Sequence, residues 1–124
     1  MHDLIYPNES YAIVGAMMEV YNTLGTGYTE YVYQDALSIE FRLRGVEFQQ
    51  EVPLRVSYKS QILKHTYLAD FVCFDNIIIE VKAVSILTSE HKAQLLNYLK
   101  VSGLRLGFLV SFATPEFGYC RYVN

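Results

Sequence analysis

The chain has 124 residues, 52% of them hydrophobic, and a formal net charge of -3. That size and apolar content suit one domain with a real core and exclude a disordered segment. No apolar run reaches membrane-helix length and no signal-like leader opens the chain, so a soluble cytoplasmic protein is expected. Cys73 and Cys120 lack metal-like or CxxC spacing and read as reduced thiols.

Residues 8–24, NESYAIVGAMMEVYNTL, read as a first helix. Asn8 or Ser10 would cap it, and Ile13, Met17, Val20 and Leu24 fall on one face. Gly25 suits its stop, and LGTG connects it to a second helix over 29–44 with the stripe Tyr33, Leu37 and Phe41. The period then becomes two. VEFQQEVPLRVSY, 46–58, reads as a strand that Pro53 assigns to an edge or a bulge. KSQ is a turn, ILKHTYLADFVCF a second strand, Asp75–Asn76 a tight turn, and IIIEVKAV, 77–84, a third strand. Thr88–Ser89–Glu90 caps a third helix to about Ser102, ended by Gly103. LRLGFLVSF and GYCRYV read as a fourth and a fifth strand. The order ααβββαβ(β) predicts an α/β (mixed α+β) fold: a mixed central sheet flanked by helices, an antiparallel meander followed by a parallel crossover. One domain spans 1–124.

Charge is distributed unevenly. From Met1 to Phe41 there are six acids and no Lys or Arg, whereas from Arg42 onward ten bases face seven acids. Solvated mixed charge is the default for such a surface, but this distribution allows a basic face on the C-terminal two-thirds, and the exposed face of the acidic first helix allows a homodimer or partner contact.

The third strand carries the chemistry. Alternation places Glu80 and Lys82 on one face, about 6–7 Å apart between Cα atoms. In the preceding strand Asp70 is the lone charge of YLADFVCF, with Leu68 and Val72 expected on its own face. A hairpin at Asp75–Asn76 would set Asp70 across from Glu80. Two close carboxylates repel, and a divalent cation relieves that repulsion. Asp70 and Glu80 would hold Mg²⁺ or Mn²⁺, with the backbone carbonyl of Val81 completing the shell. Lys82 would orient a water or stabilise charge on a phosphoryl group. The plain alternative is a Glu80–Lys82 ion pair on a solvated strand, worth little.

D-x9-E-V-K, formed by Asp70, Glu80 and Lys82, resembles the signature of the PD-(D/E)xK nuclease superfamily. GYTEYVY, Gly27–Tyr33, resembles the motif of that superfamily's GxxExxY group, and the similarity runs over nearly the whole chain. Ala69 stands where the superfamily name has Pro. The resemblance implies a restriction-endonuclease-like fold, Asp70 and Glu80 as metal ligands, and Lys82 as the catalytic base or electrophile. It implies that Glu30 assists at the metal. It also implies that Gln94 and Tyr98, a Q-x3-Y pair, support the site or touch substrate. Without it, Glu30 reads equally well as a first-turn acid favouring the helix dipole, and the Gln94 face as a solvated stripe.

The expected function is Mg²⁺-dependent phosphodiester hydrolysis of nucleic acid, DNA foremost. The competing readings are a non-catalytic nucleic-acid- or protein-binding module, and a helper subunit whose activity needs a partner. His2, His65 and His91 lie apart, without ligand spacing. Most Tyr and Phe fall at core-facing periods and read as core and rim packing rather than as base-stacking surfaces; Tyr31 and Tyr67 are exceptions that the periodicity does not place.

Overall fold

Pro7 sets the start of the first helix, α1 (Pro7–Leu24), in the computed structural model, which describes residues 5–124. His2 and Asp3 lie outside that range. The ring of Pro7 supplies a helical φ at a position whose N–H needs no partner. Neither Asn8 nor Ser10 is therefore the cap: Tyr6 occupies that position, without a side-chain hydrogen bond. Ile13, Met17 and Val20 are buried, and Leu24 packs beside them. The second helix, α2 (Glu30–Leu43), buries Tyr33, Leu37 and Phe41 as the periodicity predicts.

Five strands follow the expected order. They are β1 (Phe48–Tyr58), β2 (Gln61–Cys73), β3 (Ile77–Lys82), β4 (Leu106–Ser111) and β5 (Tyr119–Val123), with α3 (Ser89–Ser102) between β3 and β4. Their spatial order is the chain order. β1, β2 and β3 form the antiparallel meander, β3 and β4 pair in parallel across the α3 crossover, and β5 returns antiparallel. β1 is an edge strand, which accommodates Pro53. The first hairpin turns at Lys59 and Ser60, both left-handed. The second turns one residue earlier than expected, with Phe74 and Asp75 left-handed and Asn76 closing it through its N–H to the Cys73 carbonyl at 3.0 Å. Asn76 Nδ2 also donates to the Phe74 carbonyl, which stabilises that earlier turn.

The sheet buries both faces. α1 and α2 cover Phe71, Cys73, Ile77, Ile79, Val81, Phe108 and Val110. α3 covers Leu54, Ala69, Val72, Ile78 and Leu109 with Leu95, Tyr98 and Leu99. Gly107 lets α3 sit close, since a Cβ there would stand 2.8 Å from Leu95 Cδ1. Burial on both sides explains why β3 and β4 read as continuous apolar runs, and why the one charge in the middle of β3 is conspicuous.

Candidate active site

The β2–β3 ladder stops at Phe71 opposite Ile79. One residue further along, side chains replace backbone. The Asp70 N–H donates to Glu80 Oε2 at 2.8 Å, and the Val81 N–H donates to Asp70 Oδ2 at 2.8 Å. The two strands diverge, and each carboxylate caps an amide of the other strand. Asp70 and Glu80 therefore occupy one fork, as the hairpin predicts. Asp70 Oδ1 and Glu80 Oε1 take no hydrogen bond among the described residues. The Phe112 N–H reaches the Lys82 carbonyl on the β4 side at 2.9 Å. Strand alternation then turns the Val81 carbonyl the other way, into the fork.

The face of Asp70 differs from the simple expectation. Ala69 and Val72, three residues apart, both lie under α3, while Phe71 and Cys73 lie under α2. Period two thus breaks at Asp70, and Leu68 is exposed rather than sharing a buried face with Val72. The break has a partner in β1. Glu51 stands between Gln50, paired with Phe71, and Val52, paired with Ala69, which sets it opposite Asp70. Its φ is 51°, a left-handed value inside a strand. On either side of it Phe48 joins the α2 face, and Val52 joins the α3 face. Both strands twist over at the same rung, and that twist turns Asp70 sideways into the fork. Sequence reasoning missed Glu51, because an acid in an alternating strand carries no mark of a left-handed backbone.

Glu80 is 3% exposed, so it does not lie on a solvated strand face. Nor does it form an ion pair: among the described residues the ion pairs are those of Arg44 with Glu19 and Glu40. Burial pushes the Glu80 carboxyl up to about 8, with the Asp70 charge adding to the rise; the Asp70 N–H and Lys82 oppose it. Burial likewise raises Asp70 to about 6, opposed first by the Val81 N–H, with Glu30 and Glu51 adding to the rise. The pair titrates as a unit that resists carrying two negative charges.

Tyr98, 6% exposed on α3, reports the same charges. Its phenol is pushed up to about 12, first by burial and then by Glu80 and Asp70. Gln94 comes to the neighbourhood differently. It is exposed and lines an open cleft of about 490 Å³ with Lys82, Thr88, Glu90 and His91. Lys82 thus faces α3, on the side of Ile78. His91 is engaged in capping, its Nδ1 accepting the Thr88 N–H at 3.0 Å. Ser111 fixes the exit of β3 by accepting the Val84 N–H at 3.0 Å.

Glu30 is held by the residues that surround it in the loop. Gly27 sits at φ 113°, open only to glycine. The Tyr33 hydroxyl donates to the Gly25 carbonyl at 2.6 Å and accepts the Tyr28 N–H at 3.3 Å. The Tyr33 ring stacks on Phe112 at 4.8 Å, which ties the loop to the end of β4. In G-x-x-E-x-x-Y the glycine and the tyrosine build a turn, and the turn presents the first residue of α2. The charge of Glu30 reaches both fork carboxyls from the helix on the opposite sheet face. It does not join them: among the described residues no three His, Cys, Asp or Glu side chains form a metal cluster. The available donors are two carboxylate oxygens and a peptide carbonyl, an all-oxygen set of the kind that suits a hard divalent cation retaining several waters.

Among curated proteins, none matches the chain. A solved structure, the crystal structure of SSO0001, is similar at 15% identity over 93% of this chain and 77% of that one, with a TM-score of 0.49. The model of the PD-(D/E)XK nuclease superfamily matches residues 7–122, and the five-stranded mixed sheet flanked by helices agrees with a restriction-endonuclease-like fold. The chain belongs to the PD-(D/E)XK nuclease superfamily.

Proposed function

We propose that this protein is a divalent-cation-dependent phosphodiesterase acting on nucleic acid, DNA foremost, and a member of the GxxExxY group. The observation that carries the reading is the exchange at the fork. Asp70 and Glu80 each bind the other strand's amide and keep one oxygen free, in a setting that resists two bare negative charges. Asp70, Glu80 and the Val81 carbonyl would hold Mg²⁺ or Mn²⁺, with Glu30 assisting through its charge, which acts on both acids. The cation would supply positive charge against the phosphate being cleaved. Lys82, on the open cleft and without an ion-pair partner among the described residues, would orient the attacking water or balance charge on the phosphoryl oxygens. Gln94 would touch substrate along the cleft. Tyr98 would support the acids, its hydroxyl kept protonated as a donor. The free thiols Cys73 and Cys120 suit a reducing cytoplasm.

That no third acid among the described residues joins the pair favours one alternative, a binding module or helper subunit that does not cleave by itself. Cleavage of single- and double-stranded DNA and RNA with Mg²⁺ or Mn²⁺ separates the two. The nuclease reading expects Asp70→Asn and Lys82→Ala each to lower the rate by at least about 100-fold. Cleavage that survives both substitutions sinks the mechanism, and cation binding without cleavage of any substrate moves the protein to the alternative.

A further inference from the structure

A second cleft, of about 420 Å³, lies further along α3. Asn97 and Lys100 line it from the helix, and Arg55 and Tyr67 line it from the β1–β2 hairpin. Gln94 lines the first cleft and Asn97, the next residue but two, lines the second, so α3 borders both. No acid lines the second cleft, and among the described residues neither Arg55 nor Lys100 has an ion-pair partner. Tyr67 is 40% exposed, and its ring packs 5.5 Å from Tyr98, the same Tyr98 that senses Glu80 and Asp70. The β1–β2 register shifts between Arg55 and Ser57, bending the hairpin beside the cleft.

Resting on the nuclease reading, we propose that this cleft binds the single strand of nucleic acid that flanks the cleaved phosphate. Arg55 and Lys100 take successive phosphates, and Tyr67, braced by Tyr98, stacks on a base. Asn97 offers an amide to the base edge or the sugar. A duplex keeps its base faces stacked away, so an aromatic wall between two unpaired cations is useful only to an unpaired strand.

The test is fluorescence anisotropy with the full chain in EDTA, so that binding is read without cleavage. The probes are labelled oligodeoxythymidylate, oligouridylate and a duplex of equal length, over a range of salt. Preference for either single strand over the duplex is expected. Tyr67→Leu should weaken single-strand binding about tenfold with an unchanged salt slope. Arg55→Ala and Lys100→Ala should each weaken it and lower the slope of log K against log salt by about 0.7. Circular dichroism melts identify any variant whose loss is one of folding, and Arg55→Lys, which keeps the charge, should retain the slope. Preference for duplex, no binding of any strand, or variants that bind like the parent would overturn the proposal. The nuclease reading fails separately. Asp70→Asn should abolish cleavage while leaving single-strand binding intact. Strand binding with no cleavage by the parent would reject the nuclease and keep the cleft, whereas cleavage indifferent to Arg55, Tyr67 and Lys100 would do the reverse.

Discussion

Glu80 is a buried acid beside a second acid, and the cost of charging it there makes it testable. Its carboxyl moves from an ordinary 4.5 to about 8 in the folded chain, driven first by burial and then by Asp70. A raised pKa means that the folded state holds its proton more tightly than the unfolded state does. The stabilisation is complete below about 4.5 and is lost as pH rises through about 8, and Asp70 adds its own loss between 3.8 and about 6. Metal-free protein should therefore melt at lower temperature at pH 9 than at pH 5. Glu80→Gln keeps an oxygen for the Asp70 N–H and removes the charge. In EDTA at pH 8 it should be more stable than the parent by on the order of 1–3 kcal/mol, with a flatter pH profile, as read by urea titration. A parent whose stability rises across this window would contradict the burial account. Glu51 is the other lesson at this scale. Its left-handed backbone, not its side-chain type, turns the strand over, so no pattern of residue types announces it.

Among the elements, the loop before α2 shows how a motif divides its work. Gly27 permits the turn, Tyr33 ties it down through two hydrogen bonds and a stacked ring, and Glu30 is what the turn presents. Tyr33→Phe preserves the ring and loses the hydroxyl, leaving the Gly25 carbonyl without its donor. A loss of about 1–2 kcal/mol in chemical denaturation is expected, together with weaker cleavage, because Glu30 is no longer held. An unchanged denaturation midpoint would count against the tie. The elements themselves were legible. The period of 3.6, the period of 2 outside the Glu51–Asp70 rung, the Gly45 and Gly103 stops and the Thr88 cap appear in place. The misplaced details were the α1 cap, where Pro7 overrides Asn8 and Ser10, and the second hairpin, where Phe74 takes a left-handed turn that its side chain does not suggest.

For the molecule as a whole, cation binding should couple to stability. No described helix is long and apolar enough to cross a membrane. The core lies on the two buried faces of the sheet. Between those faces the fork is a place where the folded chain is short of positive charge. A divalent cation that binds there and not to the unfolded chain stabilises by mass action, about 2.7 kcal/mol at a hundredfold excess over Kd. Mg²⁺ or Mn²⁺ should raise the melting temperature at pH 8, and Glu80→Gln should abolish the rise. A rise of equal size in that variant would place the cation elsewhere.

Residue order alone settled the succession of helices and strands and the meeting of Asp70 with Glu80, because period and turn chemistry are local and one hairpin joins the two acids; for β1 it left an edge or a bulge, and the sheet order decided for the edge. Tertiary structure decided the rest. The capture of amides by carboxylates at the fork, the strand reversal at Glu51 and Asp70, the burial of Tyr98 and the cleft of Arg55, Tyr67, Asn97 and Lys100 arise where distant segments meet. Such meetings depend on sheet twist and helix approach, and no residue encodes those by its type alone.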